Sequence, residues 1–412
     1  MSSYYTALSG LLANSTALDV VGNNLANMNT QGFKSDTTLF EDEMSAANAS
    51  LQVGSGVQQT LTQGNFTQGT LQSTGGPLDA AVQGNGFFVV QNASGNTMYT
   101  RDGTFSLNSS GQLVDSSGNQ VQGWMATNGV ANASGATTGI TVPSLTSQPP
   151  SATANMTLTA NLDATAATGT TFSTPIQVVD SLGNTQTLTA TFTETAANTW
   201  GYAVTIPGQD VTGGKAGTPT SVATGNLTFD SSGNLTSPKS TDTAAVIKTT
   251  GGLADGAADL NINWSMYGSN GSPTITQFAQ ASAASGTTQD GVQPGTVTGV
   301  SLQNGGMLVA NYSNGNQVTI AQVALASISN PDSLIAVSGN DYTLGTGTIT
   351  PSVGAAGTGE RGNIVAGSIE SSNVDMATEF TNLIVFQRGY EASSKVISTE
   401  TQMDQVLLAI QT

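Results

Sequence analysis

The chain opens and closes on one pattern. Between Ser3 and Asn29, the positions Tyr4, Leu8, Leu11, Ser15, Leu18, Gly22 and Leu25 recur at alternating steps of four and three, and most are apolar. Leu12, Val21 and Met28 widen the stripe, and no proline interrupts it. That spacing predicts a helix that buries one face against partners, about 40 Å long at 1.5 Å per residue and stopped at Gly32. Between Asn373 and Ile410, Met376, Phe380, Leu383, Tyr390, Ile397 and Leu408 share a second register. Ile384, Val396, Met403 and Val406 lie beside it, and Ser371 or Ser372 is the expected N-cap. An intramolecular hairpin is the simplest reading of two such helices. One pairing, however, cannot cover both stripes and the flanking apolar residues; packing against neighbouring copies would complete the burial.

The middle of the chain changes period. Residues 35–72 are polar, with Gln-Gly and Gly-Thr steps, and read as an extended connector. Gly86-Phe87-Phe88-Val89-Val90 reads as a buried strand, followed by strands within Asn96–Phe105 and Gly111–Val114. Alternating strands are predicted at Met156–Leu162, Thr187–Phe192, Trp200–Ile206, Thr296–Leu302, Gly306–Tyr312 and Gln317–Ala324. Asn108-Ser-Ser-Gly111, Asp115-Ser-Ser-Gly118-Asn119, Asp180-Ser-Leu-Gly183-Asn184 and Asp230-Ser-Ser-Gly233-Asn234 sit between apolar runs. In each, Asn or Asp can bond the turn backbone and Gly supplies a positive φ, so they read as hairpin turns. A calcium loop would need several oxygen ligands at alternating positions, and these turns offer at most one carboxylate each. Shifts to Ser, Gln and Pro at Pro143–Pro150 and to Gly, Ser and Ala at Ala279–Gln289 mark candidate boundaries.

Composition narrows the function. Charged residues are 8% of the 412, against a globular average of about 25%, and the net charge is −18. The eight cations are scattered, so no basic patch exists for nucleic acid. The chain contains no Cys and no His, which removes disulfides, thiolate metal sites and the usual general base. No catalytic, cofactor or metal site is expected. No apolar run of about 18 residues occurs, so no membrane insertion is expected. No signal-peptide pattern precedes Lys34, although the composition resembles that of extracellular filament proteins.

Val21-Gly-Asn-Asn-Leu-Ala-Asn-Met-Asn-Thr-Gln-Gly-Phe-Lys34 resembles the N-terminal signature of bacterial flagellar rod and hook axial proteins. The matching positions are Asn23, Asn24, Leu25, Ala26, Asn27, Asn29, Thr30, Gly32, Phe33 and Lys34. Ala7-Leu8-Ser9-Gly10-Leu11 is similar to the same family, as are Gly367-Ser-Ile-Glu-Ser-Ser-Asn-Val-Asp375 and Gln387-Arg-Gly-Tyr390-Glu-Ala392 at the other end. Two long motifs in order at both termini are far more specific than a short glycine motif.

The resemblance implies a mixed α and β, multidomain fold: terminal helices in a coiled-coil inner domain, with two all-β, barrel- or sandwich-like domains nested by insertion. The expected layout is an inner domain of residues 1–34 with 368–412 and a connector of 35–74 with 358–367. A middle β domain of 75–145 with 285–357 and an outer β domain of 146–284 complete it. It also implies a helical homopolymer exported unfolded through the flagellar type III apparatus and guided by a cap protein. Rod and hook–filament junction proteins would be its neighbours, at the hook or basal body outside the cell. The size of the central insert and Asn330-Pro331 after the Ile320–Ala326 run favour the hook over the distal rod. Leu8, Leu11, Leu18, Leu25, Phe380, Leu383, Tyr390 and Ile397 are the expected subunit-interface residues. Outside that class, a secreted β-rich adhesin or carbohydrate-binding module remains open, and a hydrolase using acidic pairs is remote.

Overall fold

The two helical stripes form the two α-helices of a computed structural model that describes residues 2–44, 54–58, 61–142, 147–242 and 245–410. Parts of the expected connector (45–53 and 59–60), of the boundary (143–146) and of the insert (243–244), with Met1 and 411–412, lie outside the described residues. Helix α1 spans Ser2–Ala26 and helix α2 spans Met376–Ile410. Helix α2 begins three residues later than the periodicity predicts, and its N-cap is Asp375 rather than a serine: Asp375 Oδ1 accepts from Thr378 N at 2.8 Å. Almost everything between the helices is strand or turn, so the fold is mixed α and β, mostly β with helical termini.

The chain divides into two units. The first comprises Met1–Ser144, Gly299–Asn311 and Gln317–Thr412. Its central strand, Phe87–Gln91, is buried on both faces. Phe88 and Val90 enter a core with Leu113, Val121, Val323 and Leu325, while Phe87 and Val89 enter another with Tyr99, Trp124 and Tyr342. Double burial explains why this strand reads as a continuous apolar run rather than an alternation. It pairs antiparallel with Thr97–Thr100, Gln120–Thr127 and Leu325–Ser327. Two short ladders bring the chain back toward the helices, Ala80–Gln83 with Asn363–Ala366 and Leu71–Ser73 with Ser368–Glu370. The polar connector also contains a ladder, Asp36–Leu39 with Leu61–Gly64.

The second unit, Leu145–Thr298 with Tyr312–Asn316, is two five-stranded sheets around one core. One sheet is an antiparallel run of Thr171–Val179, Thr185–Ala196, Thr199–Ile206, Thr220–Phe229 and Leu235–Ser237. The other centres on Asn155–Asp163. Strict alternation of buried and half-buried residues along Thr199–Ile206 places Trp200, Tyr202, Val204 and Ile206 inside. Tyr202 and Phe192 both meet Trp264 edge-on, at 5.1 and 6.3 Å between ring centroids. Ala283–Gln289, which the sequence marks only as a boundary, is a strand pairing with Met156–Asn161. Every residue of it is exposed, so no apolar alternation announces it.

Candidate functional site

The two terminal motifs meet where α1 ends. Gly32, at φ +68°, turns the chain; a Cβ there would lie 2.6 Å from Asp102 N, so both the dihedral and the space require glycine. Gly32 N then donates to Glu370 O at 2.8 Å, joining the N-terminal motif to the C-terminal one. Phe33 is buried beside it, and Lys34 turns inward.

Lys34 Nζ lies 2.6 Å from Glu370 Oε1 and donates to Thr67 O at 2.8 Å. Gly69 N donates to the same carboxylate oxygen at 2.7 Å, and Arg101 Nη1 lies 3.3 Å from Oε2. The Arg101 guanidinium sits 5.0 Å above the Phe87 ring. All three charged side chains are removed from solvent. Burial pushes the Lys34 ammonium and the Arg101 guanidinium below their usual ranges, and the Glu370 charge opposes both shifts. One anion thus holds two cations brought from residues 34 and 101.

Two asparagines clasp the chain just beyond. Asn24 Oδ1 accepts from Asp36 N at 3.0 Å, and its Nδ2 lies 2.8 Å from Asp36 O and 3.2 Å from Glu379 Oε1. Asn373 Oδ1 accepts from Ser35 N at 2.8 Å, while its Nδ2 donates to Asn65 O at 2.7 Å. Ser35–Asp36 is therefore gripped by one asparagine from each terminal motif. Burial raises the Asp36 carboxyl above its ordinary value, and that of Glu379 likewise, the latter against its hydrogen bond from Asn24.

Of the other motif positions, Asn27 donates back to Asn23 O at 3.0 Å and accepts from Thr30 Oγ1 at 3.1 Å, closing the end of α1. Leu25 is half-buried, and Asn23, Ala26 and Asn29 are exposed. Glu370, Arg101 and Asn373 carry the junction but were not among the site residues expected from sequence. The available signal was compositional: a chain this poor in charge places Lys34 and Glu370 inside its two motifs.

Below the junction, α1 and α2 pack antiparallel. Asn24 meets Glu379, Asn14 lies beside Gly389, and Gly10 lies beside Ser393. The buried apolar residues of α1 are small: Ala7, Ala13, Ala17 and Val21. A Cβ on Gly389 would lie 2.5 Å from Asn14 Oδ1, so the two helices approach too closely there for side chains on both. Leu8, Leu11, Leu18 and Leu25 on α1, and Leu383 and Ile397 on α2, flank this contact half-buried; Phe380 and Tyr390 are exposed, at 50% and 39%. Tyr5, Leu12, Ile384, Val385 and Val396 are also exposed. Helix α2 has 35 residues against 25 in α1, and past the end of α1 it exposes Met403, Val406 and Leu408. No helix among the described residues is long and apolar enough to cross a membrane.

Four flagellar family models match segments of the chain. Residues 5–34 match the flagella basal body rod protein family, and 81–162 match the flagellar hook protein FlgE/F/G D1 domain. Residues 144–292 match the flagellar basal body protein FlaE D2 domain, and 365–410 match the flagellar basal body rod FlgEFG protein C-terminal region. The flagellar hook protein FlgE of Salmonella typhimurium is 32% identical over 97% of this chain and 98% of its own length. That of Rhizobium meliloti is 34% identical over 98% and 97%, and that of Treponema pallidum 32% over 99% of each. The crystal structure of Helicobacter pylori flagellar hook protein FlgE2 shares the fold with a TM-score of 0.53 at 13% identity, over 71% of this chain and 99% of that one. With both terminal motifs joined at one junction and relatives matched end to end, the chain belongs to the flagellar hook protein FlgE family.

Proposed function

We propose that this chain is a structural subunit that polymerises helically into the flagellar hook, the bendable tube that passes motor torque to the filament. One observation carries the reading. Both β units close their own cores, yet the helical hairpin leaves an apolar face uncovered along its length and beyond the end of α1. Fully burying one such side chain is worth about 1.5–3 kcal/mol, so half-exposed residues in series leave several kcal/mol unrealised in the monomer. Neighbouring copies of the hairpin supply the cover, and the hairpins line the inside of the tube. The Lys34–Glu370–Arg101 junction ties each hairpin to its β unit, so that force on one reaches the other.

The work is assembly rather than catalysis. Rod and hook–filament junction proteins are the neighbours at the two ends, with a cap protein at the growing tip. Export unfolded through the flagellar type III apparatus suits a chain without cysteine and with few charges. Leu8, Leu11, Leu18, Leu25, Phe380, Leu383, Tyr390 and Ile397 are the proposed contacts between copies. Leu11→Asp or Leu383→Asp should abolish tube formation, seen by electron microscopy of purified subunits, while circular dichroism shows the β units intact. Normal tubes from both variants would refute the helical seam.

A further inference from the structure

The first unit has five cations, and three of them have structural work. Lys34 and Arg101 hold Glu370, and Arg361 bonds Ser352 O and Ala355 O. The remaining two, Arg388 and Lys395, both stand exposed on α2, seven residues apart and so on one face. Lys395 has Glu391 one turn before it, the favourable order for a pair within a helix. Arg388 has no ion-pair partner among the described residues. Helix α1 carries a single charge, Asp19, which is also exposed and unpaired among the described residues. Asp19 lies on the stripe of Tyr5 and Leu12, at seven-residue steps, which is the exposed face of α1.

We infer that the exposed face of α1 docks on α2 of a second copy of this chain, with Asp19 of one copy paired to Arg388 of the other. This deepens the polymer reading and rests on it. Covering the Tyr5–Leu12–Asp19 face strips water from Asp19, and a carboxylate buried without a cation is strongly disfavoured. The charges are complementary, and of the two cations Arg388 precedes Glu391 by three residues, the less favourable order, whereas Lys395 follows it by four, so the spacing gives Glu391 to Lys395 and leaves Arg388 for a second copy. Its guanidinium also offers a fork suited to a carboxylate. The pairing fixes a register. Within one hairpin Asn14 lies beside Gly389, so Arg388 is level with position 15, four residues from Asp19. Bringing the two together offsets neighbouring hairpins by about 6 Å along the helix axis, roughly one turn.

The test is charge reversal and exchange in full-length subunits. Asp19→Arg, Arg388→Glu, the double exchange and, as a reference on the second unit, Lys215→Glu are each assayed for polymer by sedimentation and electron microscopy. Each single helix variant should lower polymer yield at least about tenfold, the double exchange should restore it, and Lys215→Glu should match wild type. Both single variants polymerising like wild type, or a folded double exchange that stays blocked, would overturn the pairing while leaving the polymer reading intact. A wild-type subunit that forms no polymer would overturn the polymer reading itself.

Discussion

Replacing Lys34 by Met tests the junction that ties the helices to the β unit. The substitution keeps an unbranched apolar stem and deletes the ammonium. What disappears is the 2.6 Å contact to Glu370 and the hydrogen bond to Thr67. Glu370 keeps Gly69 N–H at 2.7 Å and Arg101 at 3.3 Å. Removing one member of a buried pair costs about 3–5 kcal/mol, and the surviving donors place Lys34→Met near the lower bound. Glu370→Gln leaves two buried cations with no anion, which places it near the upper bound. An exposed pair would contribute only about 0–1 kcal/mol. The assay is native-state amide exchange at Phe87–Gln91 and Thr97–Thr100, with Thr199–Ile206 of the second unit as internal reference. A loss of about 3 kcal/mol speeds exchange a little over a hundredfold. Lys34→Met should show that loss in the first unit, Glu370→Gln a larger one, and the reference strand should stay unchanged. Unchanged exchange in the first unit, equal losses in both units, or Lys34→Met exceeding Glu370→Gln would refute the reasoning.

Two further substitutions probe separate parts of the first unit. Gly389→Val should force α1 and α2 apart at Asn14, costing about 1–3 kcal/mol of overpacking, and raise amide exchange throughout α1 while the β strands stay protected. Asp341 is buried near Asp115 and Asp102, with Asn119 donating to it at 2.8 Å; burial, with the Asp115 charge next, pushes its carboxyl up to about 7. The folded chain then holds a proton that the unfolded chain has released, so this stability is complete below about pH 4 and lost as pH climbs through about 7. Asp341→Asn should therefore be progressively more stable than wild type from pH 4 to 8 in thermal melts, by at most about 4 kcal/mol, and a difference that is flat with pH would exclude the assignment.

The sequence showed what is local and periodic. Alternation along Trp200–Ile206 marks a strand with one buried face, and the Asp-Ser-Ser-Gly-Asn turns bond as their chemistry requires. Asp115 Oδ1 accepts from Ser117 N and Asn119 N at 2.9 and 2.8 Å, and Asp230 repeats the pattern with Ser232 and Asn234. The helical stripes were legible, but the division of labour between them was not. The antiparallel hairpin selects Ala7, Ala13, Ala17 and Val21, because close approach at Asn14 and Gly389 rewards small residues over the leucines that dominate the periodicity. The junction was legible only in part, because its chemistry joins residues 34, 101 and 370, and no local spacing reveals such a contact. Ala283–Gln289 escaped for the opposite reason: a strand exposed along its whole length has no buried face to write a pattern.

On the proposed function, the paired terminal helices, incomplete in one chain, are completed by copies of the same chain. Electron microscopy of polymer grown from the purified full-length protein, at a resolution that traces helices, tests it most directly. The expected result is a helical tube with α1 and α2 of every subunit innermost and Leu12, Phe380 and Ile384 buried between neighbouring hairpins. A tube whose terminal helices face outward, or a chain that stays monomeric, would contradict it.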